Sequence, residues 1–237
     1  MTEESLHPHI SKQFDQELED LRNRVLVMGG MVEEQVGNAI QALLENDVVL
    51  AEQVIANDYN VNAMEVEIDE ECTQIIARRQ PAARDLRLVL AVIKMIADLE
   101  RIGDEARRIA RQALDLNAHY PKKNQLSELE QLARHVKTML HDALDVFARM
   151  DVEHALKVVE QDEQVDKEYE SILRQQITYM MEDARSIPVA LDIMWSARAL
   201  ERIGDRSCNI CEYVIYYVKG KDVRHISLEQ LEKKVRE

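Results

Sequence analysis

A chain of 237 residues carrying 45 Asp and Glu against 30 Lys and Arg, net charge −15, lacks the basic surface that sequence-independent nucleic-acid binding requires. The same charge opposes adsorption to an anionic membrane and suits attraction of cations or docking on a basic partner. Only six Gly and four Pro stand among abundant Leu, Ala, Glu, Arg and Val, which marks an all-α protein, and sparse aromatics require an aliphatic core.

The opening MTEESLHPHI is acidic and polar, unlike a signal peptide, and reads as a loose tail. Apolar residues then recur in steps of four and three from Phe14 through Leu18, Leu21, Val25, Met28 and Val32 to Leu43. This spacing predicts one amphipathic helix over 11–45, with Gly29-Gly30 marking a bend or a close helix crossing. Asn46-Asp47 supply a stop and a new N-cap, and a second helix runs to about Gln80. Pro81 breaks it and leads into a third helix over 82–116. The longest apolar run, Leu88 to Leu99, contains Lys94 and Asp98 and falls short of the roughly 20 residues of a membrane span.

Residues 117–124 form a polar, proline-containing linker. A fourth helix is expected over 125–150, a fifth from an Asp151 cap to about Glu182, and a sixth from Ser186-Ile187-Pro188 to a terminating Gly220. Residues 221–237 are charged and compatible with a short extra helix or a frayed tail. Cys72, Cys208 and Cys211 make no disulfide framework; they read as buried thiols of a cytoplasmic protein.

The two halves repeat. At an offset of 104, Val32 matches Val136, Asp47 matches Asp151 and Asp58 matches Asp162; after the second turn the offset is 101, and Glu100 matches Glu201. The expected architecture is two tandem, sequence-related antiparallel three-helix bundles, residues 11–116 and 125–220.

Five identical residues, Glu-Arg-Ile-Gly-Asp, recur at Glu100–Asp104 and Glu201–Asp205. Each copy sets two carboxylates one helical turn apart, where they repel, and places a glycine in mid-helix at roughly 1 kcal/mol relative to alanine. A bound cation explains both sacrifices. Helix pairing brings Asp58, Asn62 and Glu65 opposite the first pair and Asp162 and Asp166 opposite the second; Asn209 and Glu212 follow on the second stripe. Such all-oxygen clusters suit Mg, Mn or Fe and tolerate Zn. The plainer alternative is a ladder of salt bridges, strongest in the first half, where Arg107 and Arg111 share the acidic stripe. A carboxylate-bridged metalloenzyme would need a placed acid–base group, and no paired histidine spacing supplies one.

The doubled Glu-Arg-Ile-Gly-Asp, the Arg-Gln-Pro-Ala-Ala-Arg-Asp-Leu-Arg of 79–87, and Asn209-Ile210-Cys211-Glu212 ahead of Gly220 resemble the PhoU family over about 10–220. The resemblance implies a cytoplasmic, often dimeric, non-enzymatic protein with metal clusters on Glu100/Asp104 and Glu201/Asp205. It also implies repression of the phosphate-starvation regulon, exerted through a PhoR-like sensor histidine kinase and the PstB-like ATPase of the high-affinity phosphate transporter. The family commonly has Asn where this chain has Arg108, which weakens the first metal site. A metal-free helical adaptor is the remaining alternative.

Overall fold

The computed structural model describes residues 12–119, 126–224 and 226–236. Its α-helices are α1 (Lys12–Glu45), α2 (Val48–Arg79), α3 (Ala83–His119), α4 (Ser127–Arg149), α5 (Val152–Glu182), α6 (Ile187–Lys219) and α7 (Leu228–Arg236), with a 3₁₀ turn at Ala184–Ser186. The N-terminal ten residues and 120–124 of the expected linker lie outside the described residues.

The repeat reaches the backbone. Asn46 (φ 61°) precedes Asp47, whose carboxylate accepts from the Leu50 amide at 3.0 Å; Met150 (φ 54°) precedes Asp151, which accepts from the His154 amide at the same distance. Each cap satisfies one of the helix-start amides that have no intrahelical partner. The change of offset has a local cause. Arg79 matches Asp183 at 104 and Ala83 matches Ala184 at 101, so the three extra residues are Gln80-Pro81-Ala82, where Gln80 and Ala83 take positive φ. α3 runs to His119, three residues beyond the expected end. Buried Leu116 and the His119–Asp192 contact at 3.1 Å hold that last turn onto α6. At the other end of the chain the extra-helix alternative holds: α7 buries Leu231 and Val235 and packs on α5.

Cross-helix pairs set the directions. Arg79 with Glu17, Arg24 with Glu67 and Glu71, and Gln35 with Asp58 run α1 and α2 antiparallel. The aliphatic core is continuous through both halves. Gly29 supports the α1–α4 crossing, since a Cβ there would stand 2.6 Å from Leu144. The dominant junction is α3 against α6, the two helices carrying the repeated motif.

That junction contains buried charge. Asp98, 2% exposed, accepts from Arg206 at 3.2 Å, Asn209 at 3.3 Å and the Tyr213 hydroxyl at 2.7 Å. Seven residues along, buried Glu105 is held by Arg202 at 3.2 Å and Arg108 at 3.1 Å. Carboxylates removed from water need such partners, because an unpaired buried charge is costly. Asp98→Ala should therefore destabilise by roughly 3 kcal/mol, leaving Arg206 and Tyr213 unmatched, and Tyr213→Phe by about 1–2 kcal/mol. The double variant should cost less than the sum in urea unfolding; strict additivity would show that the two groups do not act together.

Candidate functional site

α2 and α3 present the first set of acids, and α5 and α6 the second. Glycine makes both approaches close. A Cβ at Gly103 would lie 3.3 Å from Gln35 Oε1 and 3.8 Å from Asp58 Oδ1; one at Gly204 would lie 3.4 Å from Val165 and 3.8 Å from Asp162 Oδ1. The expected cross-helix partners are therefore in place: Asp58 beside the first motif and Asp162 beside the second.

In the first half the chain supplies its own cation. Arg107 bridges Asp58 at 3.2 Å and Asp104 at 2.5 Å, and Gln35 donates to the other Asp58 oxygen at 3.1 Å. Of the two arginines on the wheel stripe, Arg107 makes the salt bridge, whereas Arg111 lines a crevice beside α6. Glu100 stands outside this pairing. Burial raises its pKa first, and Asp104, Glu65 and Asp58 raise it further. Asn62 keeps a buried, unpartnered Oδ1 in the same region.

In the second half the position of Arg107 is taken by Cys208, a buried neutral thiol beside the Asp162 carboxylate. No arginine crosses from α6 to Asp162. Glu201, buried, has one oxygen on Arg198 at 2.5 Å, while its Oε2 and Asp162 Oδ1 are buried without hydrogen-bond partners. Burial, then Asp205, push the Glu201 carboxyl up to about 7, and burial with Asp205 and Asp166 push Asp162 up to about 6. Asp205 lies exposed at the cluster's edge, and its carboxyl is raised by partial desolvation and by Asp166. Glu201, Asp205, Asp162 and Asp166 thus form one electrostatically coupled acid cluster.

Two sequence expectations change here. Asn209 points its amide at Asp98 across the α3–α6 seam, and Arg108, its counterpart one repeat earlier, pairs with Glu105. Both are seam residues, so the Arg108 departure does not bear on the first acid cluster; Arg107 does. Glu212 is pushed up to about 7 by burial, and beyond it faces Arg224 and Asp222. Among the described residues no three His, Cys, Asp or Glu side chains yet converge to ligand distance. The donor chemistry of the second cluster nevertheless fits a hard cation: Asp162 Oδ1 and Glu201 Oε2 are buried without partners, and Arg198 holds only the other Glu201 oxygen. The first cluster fits less well, since Arg107 holds two of its acids. Cys208 and Cys211 are both buried, and burial raises both thiols, as expected of packed neutral side chains.

A profile of the PhoU domain matches residues 25–113 and 129–214, one match per half, each enclosing one acid pair. The chain belongs to the PhoU family. It is 54% identical over 231 residues to the phosphate-specific transport system accessory protein PhoU of Escherichia coli K12, covering 97% of this chain and 95% of that one. It is 49% identical over 235 residues to the PhoU homolog of Pseudomonas aeruginosa, covering 99% and 97%. The crystal structure of PhoU from Pseudomonas aeruginosa superposes with a TM-score of 0.86 at 50% identity, over 88% of this chain and all of that one. The phosphate transport system regulatory protein PhoU from Streptococcus pneumoniae gives 0.81 at 33% identity, over 89% and 99%. PhoU proteins are non-enzymatic accessory proteins, which removes the metalloenzyme alternative. No helix among the described residues is long and apolar enough to cross a membrane.

The raised acids of this PhoU chain make stability fall with pH. A carboxyl whose folded pKa lies above its unfolded value binds protons more tightly when folded, so its contribution is full below the unfolded pKa and is lost as pH rises through the folded one. For Asp162 and Glu201 that window runs from about pH 4 to about pH 7. Every tenfold gain in proton affinity on folding corresponds to about 1.4 kcal/mol, so Glu201→Gln should raise the melting temperature at pH 8 and flatten its pH dependence across the window. Parallel wild-type and variant curves would show that Glu201 titrates normally.

Proposed function

We propose that this chain is a metal-binding accessory protein of phosphate-specific transport that represses the phosphate-starvation response. In this account it links the state of the high-affinity phosphate transporter to a sensor histidine kinase. The observation that carries the metal assignment is the second acid cluster, with buried Asp162 Oδ1 and Glu201 Oε2 left without partners. Glu201, Asp205, Asp162 and Asp166 would hold the ion. Glu100, Asp104 and Asp58 form the corresponding set in the first half, in competition with Arg107.

A bound di- or trivalent ion of the Fe, Mn, Mg or Zn type supplies charge neutralisation. The residues do the rest. Deprotonated Glu201 and Asp205 on α6 and Asp162 on α5 fix those helices relative to each other, which keeps the outer surface in one shape for a partner. The acidic body suits docking on basic surfaces of the PhoR-like kinase and the PstB-like ATPase, each interaction strengthened by the chain's net charge of −15. A homodimer would present two such bodies. The cytoplasmic face of the transporter is the compartment where kinase and ATPase are both within reach.

Replacing Glu201 and Asp205 by Ala together should remove stoichiometric metal from the second half, read by mass-spectrometric metal analysis after equilibrium dialysis. Unchanged metal content would overturn the ligand assignment. Co-purification of the unaltered chain with kinase and transporter ATPase tests the linking role, and failure to retain either would overturn that part alone. Arg107→Cys, which reproduces the second-half residue, should add a second equivalent of metal by freeing Asp58 and Asp104. An unaltered stoichiometry would show that Arg107 is not what bars the first site.

A further inference from the structure

The α3–α6 seam is built twice by the repeat, and its two ends are finished differently. At one end the Asp98 carboxylate gathers Arg206, Asn209 and the Tyr213 hydroxyl. At an offset of 101, Ala199 stands where the seam has Asp98, and Gln112 stands where it has Tyr213. A carboxylate and a ring are thus missing from the second end. What remains is a cavity of about 300 Å³ lined by four arginines, Arg108, Arg111, Arg198 and Arg202, with a single carboxylate, Glu105.

The arginines outnumber their partners. Arg108 and Arg202 share Glu105, and Arg198 is engaged by Glu201. Arg111 is exposed and makes no ion pair among the described residues. Such a concentration of positive charge on a chain of net charge −15 calls for an anion. Two further observations narrow its chemistry. Gln112 Oε1, in the cavity lining, is buried without a hydrogen-bond partner and can accept an N–H. Trp195, the only tryptophan, is 62% exposed and stands between this cavity and an apolar groove formed with Tyr169, Leu173, Leu191 and Met194.

We propose that this cavity binds a nucleoside phosphate. The phosphate oxygens sit where the repeat lacks its aspartate, on the guanidinium forks of Arg108, Arg111 and Arg202, whose geometry matches phosphate in bidentate contact. The base replaces the absent ring, stacks on the Trp195 indole and gives an amino or ring N–H to Gln112 Oε1. Inorganic anions satisfy the arginines alone and leave both Trp195 and Gln112 unused. The cavity touches the second acid cluster at Arg198, which Glu201 engages, but the phosphate contacts fall on Arg108, Arg111 and Arg202, so the proposal does not depend on metal in either cluster.

Because Trp195 is the sole tryptophan, its fluorescence reports directly on the cavity. Titrations with ADP, pyrophosphate and adenosine, in the presence of a chelator to remove cation bridging, should show a saturable change with ADP. Pyrophosphate and adenosine should each bind at least about tenfold more weakly, and Arg111→Gln should weaken ADP binding by about tenfold, the loss of one charge-assisted contact. Arg111→Gln alters an exposed residue, so it keeps the fold. Ala199→Asp, which restores the repeat's own carboxylate, should abolish the ADP response. No saturable change with ADP, equal affinity for pyrophosphate, or an ADP affinity unmoved in Arg111→Gln would each overturn the proposal.

Discussion

Everything on the motif-bearing helices follows from the need to balance carboxylates that the fold takes out of water. Four acids are buried among the described residues: Asp58, Asp98, Glu105 and Glu201. Asp58 has Arg107 and Gln35, Asp98 has Arg206, and Glu105 has Arg202 and Arg108. Of these four, Glu201 alone retains a buried oxygen without a partner; Asp205 and Asp166 add negative charge beside it, which Arg198 and Arg202 offset only in part. Where the charge is only partly balanced, as at Glu201 with one oxygen on Arg198 and the other bare, the group holds its proton more tightly or takes up an external cation. That is the physical basis for a pKa near 7 at a glutamate.

The repeat turns this into a comparison within one molecule. Backbone caps, glycine approaches and the aspartate on the middle helix are common to both halves; the surroundings differ, with Met139 in place of Gln35 and Cys208 in place of Arg107. Arg107 in the first half closes the charge balance with a covalently tethered cation; Cys208 in the second leaves it open. The seam shows the same logic. Arg202 belongs to the repeated motif itself and Arg206 follows it directly, so the stretch that presents acids on one side of α6 also locks α6 to α3 on the other. The repeated motif thus serves the packing of α6 on α3 as well as the presentation of acids.

Helix periods, caps and the terminating Gly220 can be read from the chain because they are local: apolar spacing of three and four, Asp47 and Asp151 before helix starts, an αL glycine after the last turn. Asp58 and Asp162 are reachable because short turns force antiparallel neighbours. The seam is not. Asp98 and Arg206 are 108 residues apart, and nothing in either local pattern says that α3 lies against α6. Asn209 illustrates the cost of a single helical wheel: it lies one turn beyond Asp205, close to the acidic stripe by angle, yet the packing of α6 turns it to Asp98. The end of α3 escapes local reading because its last turn is held by tertiary contact, through Leu116 and the His119–Asp192 pair, against a polar composition.

The central claim is that the second acid cluster is built to hold a cation that the first replaces with an arginine. An anomalous-scattering map from crystals grown with Mn or Fe tests it most directly. The account predicts a strong peak bounded by Glu201, Asp205 and Asp162, and a much weaker one or none beside Asp58, Asp104 and Arg107. Equal peaks at both sites, or no peak at the second with the cation in excess, would contradict it.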